Sequence, residues 1–169
     1  SRKADVHAAI QHYKPNVIIN TAAFTNVDKC ESNDGIAQST NSYGVRNLVQ
    51  AADQAGAQMV QISTDYVFDG TLGRPYIESD ITNPLSVYGK TKLEGEKAVR
   101  EGDLLVRTSW LCGTHGSNIL KTIIALAQQD KALTFVNDQI GHPSFTSDIA
   151  LVISNLIDVE AKGTFHVTN

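Results

Sequence analysis

The sequence has few cysteines, no clustered basic residues and no long apolar run, and each shortage excludes a class of protein. Cys30 and Cys112 are the two cysteines among 169 residues. This number is typical of a reduced cytoplasmic protein more than of a disulfide scaffold, although one bridge between them stays an alternative. The five histidines lack ligand spacing, so no structural metal site is predicted. No uncharged stretch reaches the length of a membrane span, so no membrane association is expected.

The charge balance is mildly acidic. A net charge of −4 predicts no nucleic-acid partner, because phosphate binding needs clustered lysine and arginine. A hydrophobic content of 41% with 19% charged residues is typical of a globular chain. The length fits one domain, and no shift in composition marks a linker.

Short apolar runs, typical of strands buried on both faces, alternate with segments of helical periodicity. Strands are predicted at residues 17–19, 59–62, 104–106, 133–136 and 164–167. Helices are predicted at residues 6–13, 36–55, 87–100, 118–129 and 145–157. This alternation predicts an α/β fold with a parallel sheet and helices on both of its faces. The long loop at residues 69–84 follows a strand, where such folds build their sites.

Three residue types near this loop suit the reduction of a carbonyl group. Tyr88 and Lys92 are one helical turn apart and therefore share a face. A lysine ammonium at that distance is expected to lower the tyrosine pKa toward the working range. Thr64 ends the second predicted strand and can donate a hydrogen bond to a substrate oxygen. A Tyr-x-x-x-Lys pattern alone is weak, but here it opens a helix that follows a Ser-Thr strand end.

Six segments extend the pattern over nearly the whole chain. They read KPNVIINTAAFTNVD (14–28), ISTDYVFDG (62–70), NPLSVYGKTKLEGE (83–96), RTSW (107–110), DQIGHP (138–143) and GTFHVTN (163–169). Together they resemble the extended short-chain dehydrogenase/reductases, and within them the dTDP-4-dehydrorhamnose reductase family. The resemblance implies a Rossmann-type fold and reduction of the C4 ketone of dTDP-4-dehydro-L-rhamnose to dTDP-L-rhamnose. It also implies NADP or NAD as cofactor, with NADPH favoured, and a homodimer in the cytoplasm.

The resemblance also implies roles for individual residues around the reacting carbonyl. Tyr88 would donate the proton and contact the cofactor, Lys92 would support it and contact the nicotinamide ribose, and Thr64 would hydrogen-bond the carbonyl. The remaining predicted cofactor contacts are Ala22, Ala23, Asn41 and Ser63. The remaining predicted substrate contacts are Asp65, Trp110, Asn118 and Gln139. A magnesium ion occurs at subunit contacts in some relatives, but no residues for it can be assigned here.

Several of these residues have simpler alternatives. Thr64 and Ser63 could only cap the loop, and Trp110 could belong to the core. Asn118 precedes an amphipathic segment and could be a helix N-cap. Cys112 stands where the family usually has an aromatic residue, and Ser42 with Tyr43 replaces a pair of small residues.

Two other functions remain open. A nucleotide-sugar dehydratase or epimerase is disfavoured, because dehydratases of this superfamily place Asp-Glu after the threonine and this chain has Asp65 followed by Tyr66. A non-catalytic role, similar to the regulatory subunit of methionine adenosyltransferase, is the other alternative.

The glycine-rich turn that binds the cofactor pyrophosphate in this family, G-x-x-G-x-x-G, does not occur in the sequence. We therefore expect residues 1–169 to be the central part of an NAD(P)-binding Rossmann-type reductase domain, with part of the substrate-binding region. The first strands and the C-terminal lobe are expected to be absent. The chain alone is expected to be inactive.

Overall fold

The computed structural model describes residues 2–129 and 132–169. Over these residues it has two compact units, Ser1–Arg107 with Ala161–His166 and Thr108–Glu160 with Val167–Asn169. The helices are α1 (Lys3–Tyr13), α2 (Val27–Ser32), α3 (Asp34–Gln38), α4 (Gly44–Ala55), α5 (Val87–Glu96), α6 (Ile119–Ala127) and α7 (Thr146–Asp158). The strands are β1 (Val17–Asn20), β2 (Gln58–Thr64), β3 (Leu104–Thr108), β4 (Leu111–Cys112), β5 (Ser144–Phe145) and β6 (Gly163–His166).

A four-stranded sheet with the order β1-β2-β3-β6 is the framework of the first unit. β1 pairs with β2 in parallel, and Asn20 lies beside Gln61 in that register. β3 pairs with β6 in parallel, and Arg107 lies beside His166. Helices flank the sheet, so the predicted α/β class is confirmed. Because the strands are parallel, the polar residues that end them meet at one edge.

The apolar core of the first unit lies between the sheet and α4. Its buried members are Val45, Val49, Ala52, Ala57 and Met59. The helix ends at Gly56, whose φ of 68° is the left-handed conformation that glycine adopts at little cost. This packing fixes α4, and therefore the segment that precedes it, against β2.

The single helix predicted at residues 36–55 is interrupted. α3 leads into a π-helical turn at Ser39–Tyr43, and α4 follows directly. Such turns insert an extra residue into the helix and often occur at functional sites. Here the turn contains Asn41, one of the residues implied at the cofactor.

One predicted strand is wrong. Residues 133–136 have no regular structure, and Phe135 and Val136 are exposed. An apolar segment forms a β-strand only when a neighbouring strand pairs with it. No described residue pairs with this segment in a ladder. The second unit instead pairs β4 with β5 over two residues each, which periodicity could not reveal. Helix α2 was also missed.

Among the helices of residues 2–129 and 132–169, none combines the length and the hydrophobicity needed to cross a bilayer.

Candidate active site

Helix α5 carries Tyr88 and Lys92 on one face. The Ser86 side chain accepts a hydrogen bond from the Gly89 amide at 3.0 Å and caps the helix. The Glu31 carboxylate accepts from the Val87 amide at 2.8 Å, which satisfies a second amide of the first turn. Tyr88 and Lys92 are 8% and 5% exposed, so both polar groups are held in a largely dry environment.

Two glycines let α5 lie directly on its neighbours. A Cβ atom at Gly89 would collide with the backbone carbonyl of Tyr66, and one at Gly95 with that of Asn41. The helix therefore contacts both the strand end at Thr64 and the π turn. This close packing sets the positions of Tyr88 and Lys92 relative to β2.

Thr64 caps the turn that follows β2 and also lies beside Tyr88. Its hydroxyl accepts from the Tyr66 amide at 3.2 Å and donates to Asp65 Oδ1 at 3.0 Å. The capping alternative is therefore present, because Thr64 begins the short 3-10 turn Asp65–Val67. Thr64 also lies beside the phenol of Tyr88 and acts to lower its pKa. The Tyr66 and Tyr88 rings meet edge to face at 5.5 Å.

The pKa values differ from the sequence-based expectation. Burial raises the pKa of Tyr88 to about 12, which outweighs the opposing effect of the neighbouring Thr64 side chain. Burial lowers the pKa of Lys92 to about 8, against the opposing charge of Glu96. The expectation that Lys92 lowers the pKa of Tyr88 was therefore wrong. The ammonium of Lys92 donates to the Ile62 carbonyl at 2.6 Å, and desolvation dominates at the phenol.

Asp65 remains accessible at the surface, yet partial desolvation raises its pKa.

Asn41 joins the segment after β1 to helix α5. Its Oδ1 accepts from the Phe24 amide at 2.8 Å, and its Nδ2 donates to the Phe24 carbonyl at 3.1 Å. The same Nδ2 donates to Thr91 Oγ1 at 3.1 Å, and Thr91 Oγ1 donates to the Tyr88 carbonyl at 3.0 Å. Asn41 is 1% exposed. Asn41 therefore cross-links two buried segments by hydrogen bonds. Its predicted role beside a cofactor stays a prediction.

The other predicted cofactor residues lie around the strand ends of the same unit. The Ala22 amide donates to Asn20 Oδ1 at 3.1 Å, and Ala23 is half-buried. Ser63 is 5% exposed, and its hydroxyl has no hydrogen-bond partner among the described residues. A buried hydroxyl normally has one, so this group is suited to a bound molecule.

Sequence reasoning missed two buried amides. Asn20 donates from Nδ2 to Gln61 Oε1 at 2.8 Å, and Gln61 Nε2 donates to the Ile62 carbonyl at 2.6 Å. The available signal was a polar residue within each of two apolar strands. Such residues are buried only with partners.

The long loop after β2 is held by Asp69. Its carboxylate accepts from the Tyr76 hydroxyl at 2.8 Å, from Asn83 Nδ2 at 2.9 Å and from the amide and hydroxyl of Thr71. These bonds hold its pKa well below the usual range. The loop predicted to build a site is thus ordered by its own side chains.

Glu96 and Arg107 form a buried ion pair in the first unit. Arg107 Nη2 lies 2.7 Å from Glu96 Oε2, and both side chains are below 10% exposure. The guanidinium also lies 5.2 Å from the centre of the Phe68 ring. Because Glu96 is one turn beyond Lys92, α5 carries two opposite buried charges.

The second unit contains three of the predicted substrate contacts, Trp110, Asn118 and Gln139. Trp110 has a φ of 46°, which is strained for a bulky residue, and Gly141 packs against its indole. Asn118 accepts from the Lys121 amide at 3.1 Å, so the N-cap alternative is present, and its Nδ2 donates to the Gly113 carbonyl at 2.9 Å. Gln139 is exposed. Within this unit the 138–143 loop meets Trp110 through Gly141.

The described residues contain no group of three or more histidine, cysteine or acidic side chains that could hold a metal ion. No magnesium site can therefore be assigned to them.

Burial of Lys92 makes a testable contribution to the pH dependence of stability. Its pKa falls from 10.5 to about 8 in the folded state, so between these values the unfolded chain binds more protons and stability rises with pH. The free energy of unfolding of the unmodified protein, relative to Lys92→Met, should increase by about 3 kcal/mol from pH 8 to pH 10.5.

Urea denaturation at several pH values measures this difference. The raised pKa of Tyr88 affects both proteins equally and cancels. Lys90→Met, exposed on the same helix, is the control, and its difference should stay constant. A flat difference for Lys92→Met as well would mean that the lysine is not desolvated.

The family model described as "RmlD substrate binding domain" matches residues 1–169. The dTDP-4-dehydrorhamnose reductase of Salmonella typhimurium is 41% identical over 175 aligned residues, covering 99% of this chain and 58% of that protein. The crystal structure of a dTDP-4-dehydrorhamnose reductase from Clostridium acetobutylicum has a TM-score of 0.94 and 48% identity, covering 99% of this chain and 60% of that one.

A dTDP-4-dehydrorhamnose reductase from Bacillus anthracis, solved in complex with NADP, has a TM-score of 0.95 and 38% identity, covering 99% of this chain and 61% of that one. The chain thus spans about three fifths of the length of the relatives it matches. Because the family model extends over all of its residues, the resemblance read from the motifs is confirmed, and the chain belongs to the RmlD substrate binding domain family.

Proposed function

We propose that the protein reduces the C4 ketone of dTDP-4-dehydro-L-rhamnose to the alcohol of dTDP-L-rhamnose, using NADPH or NADH. The observation that carries this proposal is the buried group of Thr64, Tyr88 and Lys92 at the carboxyl end of β2 and the start of α5. Relatives of this chain, among them those of Salmonella typhimurium and Bacillus anthracis, are named dTDP-4-dehydrorhamnose reductases.

The residues present fit a nicotinamide cofactor. The unpartnered hydroxyl of Ser63 and the ammonium of Lys92 are both buried near the strand ends. Ser63, Lys92, Ala22 and Ala23 would hold the nicotinamide and its ribose, while Asn41 would steady the segment after β1. When bound, the cofactor supplies the hydride. NADPH is the favoured form, because the Bacillus anthracis relative was solved with NADP.

The side chains would complete the reduction at the carbonyl oxygen. When the cofactor supplies hydride to C4 of the sugar, the electron pair of the carbonyl double bond would move to oxygen, and Tyr88 would donate its proton there. A pKa of about 12 keeps Tyr88 protonated at neutral pH, so the proton is present to be given, but it makes the phenol a weaker acid than a free tyrosine. Thr64 would hydrogen-bond the same oxygen. Lys92, whose ammonium is held by the Ile62 carbonyl, would contact the nicotinamide ribose beside Tyr88.

The substrate is expected to be a dTDP sugar. Asp65 and Thr64 would contact the sugar, and Trp110 would border it, while Asn118 and Gln139 would reach the nucleotide. Residues 1–169 would form the central part of the NAD(P)-binding reductase domain with part of its substrate region. A cytoplasmic homodimer is the assembly we propose for the complete enzyme.

An assay of NADPH and NADH oxidation by the full-length protein with dTDP-4-dehydro-L-rhamnose tests this function. Turnover that depends on the keto sugar nucleotide is expected. The absence of turnover, together with a tight protein partner, would contradict the reductase and favour a regulatory subunit. Loss of water from a dTDP-hexose would instead indicate a dehydratase, which Tyr66 after Asp65 disfavours.

A further inference from the structure

A continuous chain of hydrogen bonds runs from the segment after β1 to the catalytic lysine. The Ala22 amide donates to Asn20 Oδ1 at 3.1 Å, and Asn20 Nδ2 donates to Gln61 Oε1 at 2.8 Å. Gln61 Nε2 then donates to the Ile62 carbonyl at 2.6 Å, and Lys92 Nζ donates to that same carbonyl at 2.6 Å. We call Asn20 and Gln61 the amide relay.

The relay is built into the sheet. Asn20 and Gln61 are register partners across β1 and β2, so their side chains meet because the strands do. They are 6% and 2% exposed, and each side-chain amide uses its oxygen as an acceptor and its nitrogen as a donor. Two buried amides would cost stability if left unpaired, and apolar residues would fill these positions more simply. The two amides therefore form oriented hydrogen bonds between the strands, which packing of the core alone does not require.

The two ends of the relay are the two groups proposed to contact the nicotinamide ribose. One end is the backbone at Ala22, and the other is the ammonium of Lys92. The Ile62 carbonyl belongs to β2 and accepts from both Gln61 and Lys92, so the amide and the ammonium are held at one acceptor that the strand fixes. The lysine side chain has four rotatable bonds, and a fixed acceptor selects one of its arrangements.

We propose that Asn20 and Gln61 are positioning residues, which hold the Ala22 backbone and the Lys92 ammonium at a fixed separation to receive the nicotinamide ribose. This inference rests on the proposed reductase function. Neither residue touches the reacting atoms. Their loss should weaken binding of the nicotinamide half of the cofactor and leave the adenosine half unaffected.

The variant Gln61→Met in the full-length protein tests the relay, because methionine has a similar length and no amide. Fluorescence titration with NADPH and with adenosine 2′,5′-bisphosphate, which lacks the nicotinamide ribose, separates the two halves; NADH and AMP form the parallel pair. The dissociation constant of the dinucleotide should rise about five- to tenfold, as expected for one or two lost hydrogen bonds. The constant for the adenosine fragment should not change.

Gln58→Met is the matched control, since it makes the same change at the other end of β2 and removes the bond from Gln58 Nε2 to the Ala161 carbonyl. It should leave both constants unchanged. If Gln61→Met does not fold, Asn20→Leu decides by the same titrations, because leucine has a similar volume, carries no charge and removes the side-chain bonds to Gln61 and to the Ala22 amide. An unchanged dinucleotide constant, or equal weakening of both ligands, would overturn the relay. Failure of the unmodified protein to bind either dinucleotide would overturn the proposed function instead.

Discussion

Replacing Tyr88 with phenylalanine should lower kcat for reduction of the keto sugar nucleotide by about 10²–10⁴-fold, the range typical of a lost general acid. The ring would still fill its place between Cys30, Ala37 and the edge of Tyr66. The change therefore removes one hydroxyl and little packing. Binding of the dinucleotide should persist, because its proposed ribose contacts come from Lys92 and the Ala22 segment.

Steady-state kinetics with NADPH, combined with an unfolding curve for each variant, measure this effect. Tyr66→Phe is the matched control, since its ring lies 5.5 Å from that of Tyr88 and the change removes the other nearby phenol. It should stay within a few-fold of the unmodified enzyme. If Tyr88→Phe retained a third of the activity, or if Tyr66→Phe lost as much, the proton donor would be another group.

Replacing Arg107 with methionine should lower the free energy of unfolding by about 3–5 kcal/mol, because Glu96 would be left as an unpaired buried charge. The pair is 2.7 Å apart and almost completely buried. The double variant Glu96→Leu/Arg107→Met should recover most of the loss, since two apolar side chains replace two desolvated charges. Removing one charge of the pair should therefore destabilise the protein far more than removing both.

Urea denaturation of the two single variants and the double variant forms a thermodynamic cycle for this pair. Arg46→Met is the control, because Arg46 forms its ion pair with Glu94 near the surface, at 3.2 Å and with 49% of the arginine side chain exposed. That change should cost less than about 1 kcal/mol. A double variant as unstable as the sum of the two singles would show that the charges act separately.

Local patterns in the sequence predicted which candidate residues lie close together. Tyr88 and Lys92 share a face because they are one helical turn apart, and Thr64 lies near them because α5 packs against the end of β2. The motif around these residues also identified the family. Such features depend on neighbouring residues in the chain, so periodicity and spacing reveal them.

Features that depend on distant contacts were missed or wrong. The phenol of Tyr88 is controlled by burial, which needs the tertiary structure, so the expected direction of its pKa was wrong. The relay joins Asn20 to Gln61 across 41 positions, and only the strand register brings them together. Residues 133–136 have the composition of a strand but lie outside any ladder in the described chain. Composition cannot supply a partner strand.

Transfer of deuterium tests the central claim most directly. The full-length protein would be incubated with dTDP-4-dehydro-L-rhamnose and NADPH that carries deuterium at both hydride positions of the nicotinamide ring. The account predicts a dTDP-L-rhamnose product with a single deuterium bound to C4 of the sugar, seen by NMR and mass spectrometry. A product without deuterium at C4, or a keto sugar that remains unreduced while the protein binds it, would contradict the account.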